Sequence, residues 1–357
     1  MAIKPKAFSV ALLLSVFLLS CERPPRVEFA LGTVCVVSLF GSGNDALYSD
    51  IFSRIREIDR TMTAFPAQVA GGAVSYIVEI GRQAGIAPVR VGVDLIDVLE
   101  KAFYFAEISG GAFDPTIGPL TRLWGIGTNL QRVPGDTEIA AALELVDWRD
   151  LEINRVAGTV FLRRQGMSLD LGSIAKGYAG DEAARIARDA GVRRALIDLG
   201  GNIVLVGHRR HETPWRIGLQ NPLDGRGAHV GILEVYDTSI VTSGVYERFF
   251  EAQTPDGTVR RYHHLLSTVD GFPVENGLLS VTVVTGSSTD ADALSTAAFA
   301  MGYRRGRALV DSMPGVEAIF VFDDRRVRIT DGLAGVFRIT NDEFTLTNEY
   351  GAKHKTE

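Results

Sequence analysis

The central stretch of the sequence covers residues 170–179 and reads Asp-Leu-Gly-Ser-Ile-Ala-Lys-Gly-Tyr-Ala. Its glycines predict a turn that leads directly into a helix, so that free backbone N–H groups would lie beside Lys176. A helix N-terminus beside a lysine suits a bound phosphate. The stretch is not a P-loop, because the spacing GxxxxGK[ST] is absent. Taken alone, Lys176 is more typical of a solvated surface residue.

Helical and strand patterns alternate on both sides of this stretch. Apolar residues at helical spacing predict helices at 48–58, 95–106, 175–190 and 289–300, and β-rich segments lie at 33–40, 195–198, 215–219, 231–235 and 280–284. The mixture predicts an α+β fold, with antiparallel sheets packed by helices. Residues 21–357 are predicted to form one domain, with a soft subdivision at the polar stretch with Pro and Gly at 128–136.

Composition limits the class of protein to which the chain can belong. Its 357 residues carry 37 Lys and Arg against 43 Asp and Glu, a formal net charge of −6. These totals do not suggest a basic face for nucleic acid, so no nucleic-acid partner is expected. Apolar residues make up 46% and charged residues 22%, which is the usual globular balance and argues against a disordered, collagenous or coiled-coil chain.

The first twenty residues resemble a bacterial leader and are set apart from the fold. Lys4 and Lys6 precede an apolar run, residues 7–19, that is too short for a comfortable membrane span. The run ends in Leu-Leu-Ser-Cys at 18–21, which resembles a lipobox, in which Cys21 would be acylated. The alternative is an ordinary signal peptide with an incidental cysteine. Loss of the two lysines would change the charge from −6 to −8, so attachment would depend on the anchor.

A second glycine-rich stretch covers residues 110–120 and reads Gly-Gly-Ala-Phe-Asp-Pro-Thr-Ile-Gly-Pro-Leu. So much Gly and Pro predicts an irregular loop whose backbone can approach a ligand closely. Asp114 is its only charge, and Phe113 offers a ring for stacking. The pattern alone fits a structural loop as well as a binding loop.

A third stretch covers residues 290–297 and reads Asp-Ala-Asp-Ala-Leu-Ser-Thr-Ala. Asp292 and Thr296 are four residues apart, so they would lie on one face of a helix. Ligands that are all oxygen favour Mg²⁺ over zinc. Taken alone, capping of the helix by Asp290 or Asp292 is the stronger interpretation.

These three stretches, with three further motifs, resemble the ApbE family of flavin transferases. The further motifs are Leu-Gly-Gly-Asn at 199–202, Thr-Ser-Gly at 242–244 followed by Tyr246 and Arg248, and His-His-Leu at 263–265. The similarity runs from Leu-Gly-Thr at 31–33 to about Gly302 and is strongest to the flavin-trafficking lipoproteins of spirochaetes. The resemblance implies the mixed α/β fold of that family, with antiparallel sheets packed by helices.

The resemblance also implies a site for FAD and Mg²⁺. Mg²⁺ would be bound by Asp292, Thr296 and the carbonyl of Ser173, with the diphosphate of FAD supplying further oxygens. Lys176, the cation and the helix N-terminus would together counter the charge of a diphosphate under attack. The residues implied to lie around FAD are Met62, Gly81, Ala112, Phe113, Asp114, Asp170, Lys176 and Leu265.

Asp292 and His264 are the implied catalytic residues. His264 stands where the family has a histidine before a flavin-contacting residue, and it is a candidate acid or base. An ordinary packed histidine is the alternative interpretation.

In the family reaction a Thr or Ser hydroxyl of a client protein attacks the FMN phosphorus of FAD, and AMP leaves. In-line displacement needs positioning, a metal and a proton acceptor, without a covalent enzyme intermediate. Clients resemble subunits of membrane redox pumps that carry a flavinylation motif, roughly Asp-x-x-[Ser/Thr]-[Gly/Ser]-Ala-[Thr/Ser]. A lipid-anchored member would meet them at the periplasmic side of the inner membrane.

One position departs from the family pattern. Family members usually carry Asn a few residues after a Ser in the segment that corresponds to residues 75–81, and here that position is Gly81. A side-chain amide is lost near the nucleotide side of the site. Three functions therefore stay open: FMN transfer, Mg²⁺-dependent hydrolysis of FAD to FMN and AMP, and binding of FAD by a periplasmic lipoprotein without turnover. The alternative, purely structural interpretation is that Gly81 merely ends the preceding helix.

Replacing Cys21 by alanine should release the protein from the membrane fraction, because the acyl chains would then have no attachment point. The measurement is the partition of the parent and Cys21→Ala proteins between soluble and membrane fractions after a salt wash. A variant that still sediments with membranes would place the anchor elsewhere.

Overall fold

The protein is built on a long central sheet, seen in a computed structural model that describes residues 24–41, 43–65, 75–225, 227–254 and 257–347. Cys21 lies outside these residues. The helices in them are α1 Asp45–Met62, α2 Tyr76–Arg82, α3 Val93–Ile108, α4 Gly118–Trp124, α5 Asp136–Leu143, α6 Ala175–Asp189 and α7 Ser288–Asp311. No helix in this part of the chain is long and apolar enough to cross a membrane.

The strands alternate with the helices along the chain. In order they are β1 Arg26–Ala30, β2 Thr33–Leu39, β3 Val89–Arg90, β4 Leu151–Asn154, β5 Thr159–Leu162, β6 Ala195–Leu199, β7 Asn202–Val206, β8 Trp215–Gln220, β9 His229–Val235, β10 Ser239–Gly244, β11 Phe249–Gln253, β12 Val259–His263, β13 Leu278–Thr285, β14 Glu317–Phe322, β15 Arg326–Ile329, β16 Phe337–Ile339 and β17 Thr345–Leu346.

Nine strands form the central sheet in the order β1-β2-β6-β7-β10-β13-β14-β15-β17. Neighbouring strands in it are antiparallel except for β15 and β17, which are parallel. Smaller antiparallel sheets have the orders β16-β9-β8, β3-β5-β4 and β11-β12. The predicted α+β class, with antiparallel sheets packed by helices, is confirmed.

The central sheet buries apolar side chains on both faces. In β7, Val204 and Val206 belong to the core under the helices, whereas Leu205 belongs to a second core that includes residues of β8, β9 and β16. This alternation is the period of a strand. Trp124 of α4 and Ile139 of α5 share a third, smaller cluster with Tyr262. The stretch at 128–136 joins these two helices.

Helical spacing located the long helices correctly. In α1 the buried residues include Tyr48, Ile51, Phe52, Ile55 and Ile58, and the side chain of Asn44 caps the helix by accepting the N–H of Leu47 at 2.8 Å. The other three predicted helices coincide with α3, α6 and the first part of α7. α7 continues to Asp311 beyond an interruption at Gly302, where φ is 75°. The five β-rich segments fall in β2, β6, β8, β9 and β13.

Helices α6 and α7 cross at a contact that requires glycine. A Cβ atom at Gly177 would lie 2.2 Å from the carbonyl oxygen of Ser288, and one at Gly180 would lie 3.2 Å from the Ser288 Oγ. Carbon and oxygen that are not bonded do not approach to 2.2 Å, so any side chain at Gly177 would push the helices apart.

Each of these two helices is capped by a carboxylate of the other. α6 has no side-chain cap of its own, and Asp292 Oδ2 of α7 accepts the N–H of Gly177 in its first turn at 2.9 Å. In return, Asp181 of α6 accepts the N–H groups of Ser288 and Thr289 at 2.8 and 2.9 Å. The first turns of both helices therefore depend on the crossing.

The N-cap of α7 is Ser287, whose Oγ accepts the N–H of Asp290 at 3.2 Å. The expectation that Asp290 or Asp292 caps this helix is therefore wrong. Asp290 instead forms an ion pair with Lys101 of α3 at 2.8 Å. Asp292 lies one turn further on, and its carboxylate is directed at α6.

Gly177→Ala should lower the free energy of unfolding by about 2 kcal/mol or more, because the new methyl group meets backbone that cannot rotate away. Gly286→Ala is the matched control, since a Cβ atom there has nothing within 4 Å. Urea denaturation midpoints of the two variants measure the difference. Equal midpoints would contradict the proposed tightness of the crossing.

Candidate active site

Three of the stretches singled out in the sequence meet near the N-terminus of α6. The N–H of Asp170 donates to the carbonyl oxygen of Pro115 at 2.9 Å, which joins the 170–179 turn to the 110–120 loop. The Thr268 hydroxyl donates to the carbonyl oxygen of Gly111 at 2.7 Å, which joins that loop to the segment after β12. Loops that are far apart in sequence are thus fixed to one another by hydrogen bonds.

A mostly buried ion pair lies at the start of α6. The Lys176 Nζ is 3.3 Å from Asp292 Oδ1 and 3.0 Å from the carbonyl oxygen of Gly172. The side chains of Lys176 and Asp292 are 21% and 4% exposed. Lys176 is therefore not the solvated surface residue that its local sequence suggested. Because Asp292 Oδ2 already accepts the N–H of Gly177, Oδ1 keeps only long contacts with the ammonium among the described residues.

The oxygen atoms near this pair suit a hard cation. Thr296 lies one turn beyond Asp292, and its hydroxyl is 3.0 Å from the Ser243 Oγ. Ser173 belongs to the turn that precedes α6. No three His, Cys, Asp or Glu side chains converge on a metal position in the part of the chain described. Asp292, Thr296 and Ser173 therefore fit Mg²⁺ only if a bound phosphate supplies further oxygens.

His264 is held as a neutral ring with one nitrogen free to accept a proton. Its Nδ1 is 3.2 Å from the carbonyl oxygen of Arg248. A carbonyl can only accept, so Nδ1 carries the proton and Nε2 has the lone pair. Burial first, then the charges of Arg248 and His263, lower the pKa of His264 to about 3. The charge of Lys176 contributes as well, which shows that the ion pair is near.

The neighbouring histidine is the packed one. His263 is buried, its Nε2 is 3.1 Å from the carbonyl oxygen of Val274, and its ring packs edge-on against Phe299 at 6.0 Å. Burial lowers the pKa of His263 as well. Of the two residues, His263 is buried and His264 is half-buried.

The side chains of the 110–120 loop are more deeply buried than expected. Phe113 is 2% exposed, and its ring packs edge-on against Phe105 at 6.4 Å. The expectation that this ring stacks on a ligand is corrected, because neither face is available. The carboxylate of Asp114 accepts the N–H and hydroxyl of Thr116, both at 2.7 Å, and the N–H of Trp148 at 3.0 Å. Asp114 thus fixes the shape of the loop, whose outer residue Ala112 is half-buried.

Three other residues implied by the resemblance differ in how far their side chains are exposed and could contact FAD. Met62 ends α1 with its side chain 3% exposed in the core. Leu265 is 7% exposed, and its carbonyl accepts the N–H of Val274 at 2.9 Å. Asp170 is half-buried, and its Oδ1 accepts the N–H of Gly172 at 2.8 Å. Met62 and Leu265 can therefore contribute mainly through the backbone of the adjoining loops.

Gly81 lies inside α2 rather than at its end. The helix continues to Arg82, and the N–H of the following Gln83 donates to the carbonyl oxygens of Glu79 and Gly81. The interpretation that Gly81 ends the helix is therefore wrong. A Cβ atom at Gly81 would be 3.4 Å from that of Ser168, two residues before Asp170. The position faces the segment that leads into the site, and a larger side chain there would meet ordinary contacts.

Two residues of this region were not assigned a role from the sequence. Asp181 lies inside a helical pattern, where a carboxylate is usually solvated, and local sequence gives no sign that it caps α7. Ser243 belongs to the Thr-Ser-Gly motif, and its hydroxyl is 2.8 Å from that of Ser295 and 3.0 Å from that of Thr296. The motif itself was the signal, because it places a small polar residue on a buried strand.

Comparison with known proteins identifies the family. The model of the ApbE family matches residues 31–320, most of the chain. The chain belongs to the ApbE family. The resemblance drawn from the motifs is thereby confirmed, and the fold of ApbE proteins accounts for the mixed α/β architecture.

Named relatives agree with this assignment. An FAD:protein FMN transferase of Treponema pallidum is 36% identical over 338 residues, 90% of each chain. One of Klebsiella pneumoniae is 35% identical over 297 residues, 83% of this chain and 88% of the relative. The crystal structure of an ApbE protein from Thermotoga maritima superposes with a TM-score of 0.77 at 30% identity, covering 88% of this chain and 99% of that one.

The pKa of Asp114 is raised from 3.8 to about 6, chiefly by burial. The folded protein keeps this proton at pH values where the unfolded chain has lost it, so Asp114 lowers stability as the pH rises from about 4 to about 6. The free energy of unfolding of the parent, relative to Asp114→Asn, should fall over that window by on the order of 2 to 3 kcal/mol. Urea titrations at several pH values measure it, and a constant difference would contradict the raised pKa.

Proposed function

We propose that this protein is an FAD:protein FMN transferase, which moves FMN from FAD to a hydroxyl group of a client protein and releases AMP. Relatives that cover nearly the whole chain carry this activity in their names. The observation that carries the proposal is the pairing of Lys176 and Asp292 at the start of α6, beside a neutral His264. These groups together suit attack on a diphosphate.

Lys176 is the residue that would bind the diphosphate. The N-terminus of α6 attracts negative charge, and the ammonium adds a full positive charge at the same place. Its contacts with Asp292 are long, 3.3 and 3.4 Å, so little hydrogen bonding is lost when a phosphate oxygen replaces the carboxylate as its partner. The exchange would leave Asp292 Oδ1 free for a cation.

Asp292, Thr296 and the carbonyl of Ser173 are the groups that would hold Mg²⁺. The cation would supply positive charge against the negative charge that develops on the diphosphate. The protein's own part is to fix these oxygens, through the bond of Asp292 to Gly177 and that of Thr296 to Ser243. A fixed set of oxygens needs no rearrangement during the reaction.

His264 is the proposed general base. A client Thr or Ser hydroxyl would give its proton to Nε2 while its oxygen bonds to the FMN phosphorus, and the bond from that phosphorus to the AMP oxygen breaks. The proton then passes to solvent or to the AMP released. A bound diphosphate opposes the charges of Arg248 and Lys176, and so raises the pKa of His264 from its low value in the free protein.

Hydrolysis of FAD to FMN and AMP is the second candidate function, because Gly81 leaves the balance between transfer and hydrolysis open. The same groups would act on water in place of the client hydroxyl. Gly81 adds no side chain beside Ser168, so this edge of the site lacks the amide that most family members have. Binding of FAD without turnover is the third possibility that the test below separates.

The proposed place of action rests on the leader pattern. Residues 1–20 and the lipobox support a protein anchored through acylated Cys21 on the periplasmic side of the inner membrane. Client subunits of membrane redox pumps with the flavinylation motif would be reached there.

The function is tested by incubating the purified protein with FAD, Mg²⁺ and a peptide that carries the flavinylation motif. Transfer predicts a peptide heavier by FMN and one AMP for each modified peptide. Hydrolysis predicts AMP and free FMN with an unmodified peptide, and simple binding predicts neither product. A Gly81→Asn protein assayed in parallel shows whether the missing amide sets the balance.

Asp292→Asn should reduce Mg²⁺-dependent FMN transfer and AMP release by about a hundredfold or more, because the carboxylate that is paired with Lys176 and would hold the cation is removed. FAD binding should remain appreciable, since the flavin and adenine contacts do not involve this residue. The asparagine oxygen can still accept the N–H of Gly177, which limits the loss of stability.

Asp290→Asn is the control, because Asp290 lies at the same end of α7 but pairs with Lys101. It should keep the parent rate. If Asp292→Asn turns over FAD as fast as its parent, Asp292 serves only as the cap of α6.

A further inference from the structure

The outer face of the β1–β2 hairpin is apolar and open to solvent. Val27, Phe29 and Val34 are 57%, 70% and 46% exposed. Val27 is paired with Val36, and Phe29 with Val34. Directly opposed residues of antiparallel strands project to the same side, so these four side chains form one strip, called here the hairpin strip. An exposed apolar strip on an edge strand is unfavourable unless something covers it.

A cavity of about 510 Å³ lies on the same side of the sheet at one end of the strip. Phe40 lines it and follows β2 with the same alternation as Val34 and Val36. Its ring lies 5.6 Å from that of Trp215, which gives the cavity an aromatic floor. The charged residues that line the cavity are all arginines. We call them the arginine rim: Arg194, Arg209, Arg210 and Arg216.

The arginine rim is a local excess of positive charge on an acidic chain, whose net charge is −6. Arg216 is paired with Glu234 at 3.3 Å. Glu212 follows Arg210 closely in the same loop. Arg194 and Arg209 have no ion pair among the described residues. The rim therefore keeps cationic groups that can bind an anion at the mouth of an aromatic cavity.

The rim and the start of β1 lie at the same end of the central sheet. Arg26, the first residue of β1, is paired with Val37, and the N–H of Phe40 donates to the carbonyl oxygen of Arg194 at 2.9 Å. Cys21 precedes Arg26 by five residues, a reach of at most about 18 Å. If Cys21 is acylated, the hairpin strip and the arginine rim must therefore lie close to the bilayer.

The active site lies at the other end of β1. The strand leads to Gly32, where a Cβ atom would be 3.4 Å from the guanidinium of Arg248. Arg248 also holds the ring of His264 through its carbonyl oxygen. The strip itself faces away from the site, because Cys35 and Val37, which alternate with its residues on β2, pack in the core under the helices. A surface that covered the strip would thus leave the active site open.

We propose that the hairpin strip and the arginine rim form a membrane-contacting face. The apolar side chains would enter the head-group layer, and the rim arginines would bind the phosphates of anionic phospholipids. Acyl chains and a basic, apolar surface are two independent signals, and together they hold a protein more firmly and in a fixed orientation. The proposal rests on the expected anchor at Cys21 and goes beyond the transferase activity.

The test uses the mature chain, residues 21–357, produced without its leader so that Cys21 carries no acyl chain. Sedimentation with vesicles of phosphatidylcholine alone is compared with vesicles that also contain phosphatidylglycerol. The parent should bind the anionic vesicles and bind the neutral ones weakly. Arg194→Gln combined with Arg209→Gln should weaken binding to anionic vesicles about thirtyfold, from two lost charges near the surface.

Matched controls separate the face from general effects. Arg60→Gln combined with Arg90→Gln removes the same charge from exposed arginines on α1 and β3, and should leave vesicle binding close to that of the parent. Phe29→Ala should weaken binding several-fold, whereas Ile86→Ala, which shortens a side chain that is 68% exposed elsewhere, should not. FMN transfer to a soluble peptide should be unchanged in all four proteins, so failure of this proposal is distinct from failure of the transferase assignment.

Three results would overturn the proposal. One is vesicle binding that does not depend on the proposed face, seen as equal binding to neutral and anionic vesicles or as equal loss of binding in the rim and control variants. Another is displacement of the protein from vesicles by inorganic phosphate at a concentration equal to that of the lipid phosphate, which would make the rim a site for a free anion. The third is a dimer in solution that Phe29→Ala dissociates, with no vesicle binding, which would make the strip an interface between copies.

Discussion

The crossing of α6 and α7 is the constraint on which the site depends. Gly177 lets the two backbones approach more closely than any side chain would permit, and this brings Asp292 to the first turn of α6. The same approach lets Asp181 reach the first turn of α7. Because each helix supplies what the other lacks at its N-terminus, a shift of either one would remove two caps together. Lys176 and Asp292 are neighbours only as a result of this contact.

The polar chemistry of the site is that of groups held ready for a charged ligand. Lys176 has a carboxylate within 3.4 Å but no short bond to it, and Asp292 has one oxygen bound to backbone and one that is not. Long contacts offset little of the free energy that it costs to remove these two charges from water. A bound diphosphate with a cation would offset more of it. His264 is kept neutral by burial and by nearby positive charge, so an anion would increase its basicity where it is needed.

Much of the fold could be predicted from the sequence, because helical spacing and β-branched runs are local signals. The helices at 48–58, 95–106 and 175–190 are examples, and each coincides with a helix of the structure. The partner of Asp292 could not be predicted, since Gly177 is 115 residues away and any helix-starting aspartate reads as a cap for its own helix. The burial of Phe113 also depends on tertiary packing, here against Phe105. The motifs could indicate the site, but not which groups within it are exposed.

Strand β1 sets a distance as well as an edge. Its five residues span about 17 Å, with the end that leads back to Cys21 on one side and the approach to Arg248 and His264 on the other. The hairpin strip and the site lie on opposite faces of the sheet, because the residues of β2 that alternate with the strip pack in the core under α6 and α7. With the strip against the bilayer, the sheet would therefore separate the head groups from the site. A client segment would have to pass the edge strand β1, so only a Thr or Ser on a segment long enough to reach around that edge could enter the site.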